Sequence, residues 1–262
     1  MRRRGVSRRI TQAILDGPQT LTFTTTASPV SSNTMLRQCG FWCPPFTCLK
    51  WTKNLLLWNG KLSSVRGSGR LERLISPLRM RRRRSSRSKQ SGLHLIARQL
   101  QDPTELCVLR RQVLGKDVLV SDLDPPHVAW LWEIMADSHK PRRVCRCLLL
   151  SHHNQPVGWV IYCVHSDQHA KIVEFGCQPQ HTEAVLSEFL EYAIEKGLHA
   201  VRGDCSTPEL TLAVVSQGAR LHFEPSGCVF HWKDQQIGTA LTSGDAFWSE
   251  LDGEGWISMQ GR

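Results

Sequence analysis

Charge is segregated along this chain, and that limits what it can fold into more than any motif does. Residues 1–92 hold 19 Lys and Arg against two acids, Asp16 and Glu72, a net +17, while residues 93–262 carry −7. The overall +10 therefore describes neither part. The first stretch contains four consecutive arginines, Arg81–Arg84, a Thr/Ser-rich run over 21–32, and no sustained period near 3.6 or 2.0. Like charges at that density repel and favour an extended chain. The expected organisation is a disordered basic N-terminal stretch over 1–92, followed by one α/β domain over 93–262 that is long enough to bury a core.

Three readings of the basic stretch stay open. Its arginines suit nucleic-acid phosphates, with Trp42, Trp51 and Trp58 available for base stacking. The same charges suit an acidic membrane surface. The third reading is a gene-prediction artefact, with translation starting downstream, at Met80. Cys39, Cys43 and Cys48 have no second pair nearby, so no metal site is expected. The other cysteines, in runs such as 145–150 and 160–164, read as buried free thiols of a reduced, cytoplasmic protein. No apolar run reaches the roughly 18–20 residues needed to span a bilayer, and no apolar segment follows the basic start as a signal peptide requires.

Within the second part, periodicity changes in a definite order. Asp102-Pro103-Thr104 opens a helix ending near Gly115, with Leu106, Leu109, Val113 and Leu114 on one face. Asp124-Pro125-Pro126 opens a second, striped by Val128, Leu131, Trp132 and Met135. The runs 146–152, 157–165 and 171–177, joined by short polar turns, read as an antiparallel meander. Thr182 is the predicted N-cap of a helix over 184–196 stopped by Gly197. A strand over 198–203, a helix over 210–217 capped by Thr207, and strands over 220–224 and 228–233 follow. The order α-α-β-β-β-α-β-α-β-β predicts one mixed, mostly antiparallel sheet with helices on both faces and a right-handed crossover at the parallel pair.

This order resembles the GNAT acyltransferase superfamily. Residues 146–164, 171–177, 182–197 and 200–203 carry the resemblance, together with Thr207-Pro208-Glu209-Leu210, His231-Trp232-Lys233-Asp234 and the closing run 243–256, which is similar to a "GDA…LDGEWW" ending. The branch it looks most like is that of the polysaccharide-biosynthesis acyltransferase-like proteins. The resemblance covers about residues 95–262. It implies an acyl-CoA-dependent N-acyltransferase: acetyl-CoA or another acyl-CoA as co-substrate, an amine-bearing acceptor, and direct attack of the amine on the thioester. It places the pantetheine edge on Phe175, Gly176 and Cys177, the pyrophosphate loop on Gln178, Gln180, His181 and Thr182, and a general base at Glu174. Glu174 also reads as a solvated residue on the strand's polar face. Two features depart from the family pattern. The loop 178–184 lacks the two glycines that let a backbone approach phosphate, with Glu183 adding negative charge, and no Tyr follows the fifth strand to protonate a thiolate. The rival reading is a catalytically silent GNAT-like binding module, or the remnant of a two-domain protein.

Overall fold

A computed structural model describes residues 13–14, 16–27, 45–46, 49–53, 94–115, 117–136, 144–164, 169–198, 200–205, 207–217, 219–222, 227–243 and 245–252. In chain order the strands are β1 (Leu21–Ala27), β2 (Pro45–Phe46), β3 (Leu49–Lys53), β4 (Ile96–Gln99), β5 (Leu119–Val120), β6 (Val144–His152), β7 (Gln155–Val164), β8 (His169–Cys177), β9 (Ala200–Cys205), β10 (Arg220–His222), β11 (Gly227–Trp232) and β12 (Ala246–Phe247). The helices are α1 (Glu105–Leu114), α2 (Pro125–Ala136), α3 (Thr182–Glu195), α4 (Pro208–Ser216) and α5 (Gln235–Ser243). Contacts divide the chain into one unit of residues 50–116 and 122–222 and another of 1–49, 117–121 and 223–262. The boundary expected between 92 and 93, the Arg81–Arg84 run and the Cys39–Cys43 pair lie outside the described residues.

The first unit is built on a sheet of order β10-β3-β9-β8-β7-β6-β4. Its pairing is antiparallel from β4 through β8 and parallel between β8 and β9. The meander forms as the alternation demands. At its first corner His153 and Asn154 both take positive φ, 47° and 65°, which is the two-residue hairpin turn that matches strand twist. Side-chain parity then sorts the two faces. Tyr162 packs its ring against Phe189 and Tyr192 of α3. One position along, Trp159 and Ile161 point the other way, towards α1; Trp159, Ile161, Tyr162 and Phe189 are all fully buried. Burying such a side chain stabilises by about 1.5–3 kcal/mol.

The crossover helix stops as its sequence predicts. Gly197 takes φ +71°, its amide donates to Ile194, and the Leu198 amide reaches back to Ala193, closing the left-handed cap that glycine favours. Thr207 caps α4 by accepting from the Leu210 amide at 3.2 Å. Thr182, by contrast, is the first residue of α3 and not its cap; the cap position is His181, which makes no side-chain capping bond.

The second unit holds what the sequence did not announce. Strand β11 does not join the mixed sheet. It pairs antiparallel with β1 and β2 in a separate three-stranded sheet, with Phe23 opposite Phe230. The Leu21–Ala27 segment is rich in β-branched threonine, which suits a strand even without alternation. Strands β12 and β5 form a two-residue parallel pair, and α5 packs against β11 and both of them. A side chain at Gly238 would meet the Trp232 indole at 2.2 Å, so this helix can approach only as glycine.

Candidate functional site

The site forms where β8 leaves β9. Pairing between them covers only His169–Lys171 against Ala200–Arg202. Beyond Lys171, β8 continues for six residues to Cys177, paired on its β7 side, and no β9 partner is formed among the described residues. The cause is local. Tyr162 faces Ile172 and Ile161 faces Glu174, so Val173 is an extra residue, a bulge that bends β8 just past its last β9 pair. Along 172–177 the side of β8 away from β7 has no β9 partner among the described residues, a surface that an extended amide-bearing arm can pair with.

The predicted loop stands at the end of this edge. Gln178 is extended, Pro179–His181 forms a single 3-10 turn in which His181 donates to the Gln178 carbonyl at 2.9 Å, and α3 begins at Thr182. Gln180 and Gln178 bond to each other through their side-chain amides at 2.6 Å, at the surface. Thr182 is buried, with its hydroxyl 3.5 Å from Cys177 Sγ. Burial pushes the Cys177 thiol up to about 11, which the Thr182 hydrogen bond partly opposes, so this sulfur is a neutral thiol at physiological pH. The Thr182 amide donates to the Pro179 carbonyl; with no side chain capping α3, the positive dipole end beyond it is what attracts an anion, against the opposing charge of Glu183.

Phe175, Gly176 and Cys177 thus share the open edge, and Gln178, Gln180, His181 and Thr182 share the turn that follows it. Gly176 has a reason of its own to be glycine. A Cβ there would fall 2.1 Å from the Trp159 ring, so the indole lies flat against the strand.

Glu174 requires a correction. It is neither solvated nor open to an acceptor, being 1% exposed under α1. Arg110 Nη2 donates to its Oε2 at 2.5 Å and Nε to Oε1 at 3.2 Å, while Trp159 Nε1 donates to Oε1 at 2.7 Å. A carboxylate bound by a guanidinium fork and an indole is held in bonds that a substrate amine would have to compete with, and a base must be within hydrogen-bond reach of the proton it takes. Arg110 and Trp159 are the residues that sequence reasoning missed. The available signal was an arginine in the buried stripe of α1, between Leu106, Leu109 and Val113.

The cysteine expectation also needs correcting. Cys145 and Cys163 stand opposite each other on β6 and β7, with Cα atoms 4.1 Å apart, and are joined as a disulfide; Cys107, Cys147 and Cys177 are free thiols. Burial and the nearby Glu174 charge raise the Cys147 thiol far above its ordinary range. Asp234 accepts from the Gln236 amide, and Asp252 from the Ser249 amide and the Ser121 hydroxyl. Among the described residues no helix is long and apolar enough to cross a membrane.

No family model and no curated protein matches this chain. Solved structures do. A GCN5-related N-acetyltransferase from Anabaena variabilis aligns at TM-score 0.52 and 13% identity, covering 87% of this chain and 50% of that one. A conserved protein of unknown function from Enterococcus faecalis, described as a probable N-acyltransferase, aligns at TM-score 0.53 and 12% identity, covering 88% and 51%. The mixed α/β fold is therefore that of the GNAT acetyltransferases, and the chain spans about half the length of these two structures.

Proposed function

We propose that this chain binds an acyl-coenzyme A, acetyl-CoA first among them, and transfers the acyl group to an amine. The parting of β8 from β9 beyond Lys171 carries the reading, because it ends the β9 pairing beside a helix N-terminus that has no side-chain cap. The residues fit such a ligand at both ends. The edge 172–177 would hold the pantetheine arm through main-chain amides and carbonyls, and the first turn of α3 beyond Thr182 would hold the phosphates. Bound there, the ligand supplies an activated thioester. The chain's own contribution is to extend that arm along β8 and to hold the phosphates at the dipole end of α3. Glu174, the base implied by the resemblance, is tied to Arg110; proton removal by it needs that fork to open, and otherwise falls to water.

The engaged Glu174 favours a second reading, a GNAT-like module that binds the thioester without turning it over. A cytoplasmic setting belongs to the first reading and rests on composition; the Cys145–Cys163 disulfide speaks against a strongly reducing compartment. A nucleic-acid or acidic-surface partner rests only on the basic stretch.

Calorimetric titration of acetyl-CoA into the full chain tests the proposal, with saturable heat expected below millimolar ligand. Glu183 adds a like charge in the first turn of α3, so Glu183→Gln should tighten binding by about two- to fivefold, with less gain at high salt. Absence of heat at millimolar acetyl-CoA in both proteins removes the reading. Turnover of an amine acceptor separates transferase from silent module.

A further inference from the structure

The β8 bulge has an alternative that the chain must reject. With Val173 as the extra residue, Glu174 lies opposite Ile161 and points to the α1 face, while Phe175 lies opposite Val160 and points to the α3 face. A straight β8 continuing from Tyr162↔Ile172 would place Val173 opposite Ile161, Glu174 opposite Val160 and Phe175 opposite Trp159. Every side chain beyond Ile172 would change face, because strand parity is two. The strand would also lose the bend that carries it away from β9.

Sequence pattern alone does not choose between these registers, since both faces at this level are fully buried: Trp159, Val160 and Ile161 are 0% exposed. Charge does choose. In the bulged register the Glu174 carboxylate meets the Arg110 fork and the Trp159 indole N–H. In the straight register it would enter the apolar layer beneath α3, beside Phe189 and Tyr162, where an unpaired charge is strongly disfavoured. The indole adds a second restraint by lying against Gly176. We propose that Arg110, Glu174 and Trp159 are positioning residues that select the bulged register of β8, and so hold open the edge on which acyl-CoA binds. This deepens the cofactor reading and rests on it for its effect on binding, but not for its effect on the strand.

The test is the double variant Arg110→Met/Glu174→Met in the full chain. It removes both charges together and keeps volume, a replacement that commonly leaves stability near the starting value. Acetyl-CoA affinity is expected to fall by about tenfold or more, since methionine, valine and phenylalanine no longer distinguish the faces. In the free protein, backbone amide exchange over 172–177 is expected to change while α3 and β6 keep their protection. Wild-type affinity together with wild-type exchange over 172–177 overturns the proposal. If even the unmodified chain binds no acetyl-CoA, altered exchange confined to 172–177 still supports the register role, and unaltered exchange overturns it. Should the double variant fail to fold, Trp159→Phe removes the N–H donor together with part of the ring that lies against Gly176. It should weaken acetyl-CoA binding by about tenfold, the size expected for a hydrogen bond to a buried charge; unchanged affinity with unchanged exchange overturns the proposal.

Discussion

Arg110→Met lowers the free energy of unfolding by about 3–5 kcal/mol, a large share of the stability margin of a typical domain. The reason lies in what stays behind. Glu174 is 1% exposed and takes two bonds from one guanidinium, so removing Arg110 leaves a carboxylate in the layer between α1 and the sheet without its charged partner. Surface ion pairs in the same unit give the contrast. Arg98 and Glu105, 3.3 Å apart and roughly half exposed, should contribute about 0–1 kcal/mol when separated. Urea denaturation of Arg110→Met beside Arg98→Met checks both. A loss below about 1 kcal/mol for Arg110→Met would mean that the buried pair is not formed in solution.

Gly176→Ala is the second large effect, and here the cause is steric. An added Cβ would lie 2.1, 2.3 and 2.4 Å from three atoms of the Trp159 ring, closer than any real contact. The indole is 0% exposed and cannot swing to solvent, so either it or β8 must move. A shift of the ring also withdraws its N–H from Glu174. Overpacking of a filled core costs about 1–3 kcal/mol, and the lost bond to a charged group takes the total to the top of that range or past it. Thermal denaturation reads the result. Cleavage of Gly176→Ala by protease at wild-type rates, with an unchanged midpoint, would contradict the packing described for this strand.

The helices of the mixed unit were legible because their ends carry chemistry: the Thr207 cap, the Gly197 stop, and prolines in the first turn of α2. The meander β6–β8 was legible from alternation and turn residues. Other parts had no local signal. Strand β4, Ile96–Gln99, is a short edge with mostly exposed positions, so no alternation marks it. Strands β1 and β11 pair across some two hundred residues, and nothing in either segment names its partner. The candidate site was half legible. Position in the order put residues 175–177 at the end of β8 and 178–182 at the turn into α3, where the structure has them. Which way Glu174 points depends on one bulged residue, and its partner Arg110 lies 64 positions away. A carboxylate on a strand read either as a base or as a solvated residue, and the fold buries it in an ion pair with Arg110.

The central claim is that residues 172–177, beyond the last β9 pair, present their backbone to an acyl-CoA. Amide hydrogen exchange over this segment, measured on the full chain with and without saturating acetyl-CoA, addresses it most directly. The account predicts fast exchange at the amides facing away from β7 in the free chain, and marked protection of those same amides on adding the ligand. Slow exchange throughout 172–177 in the free chain, or no protection there when ligand is bound, would contradict it.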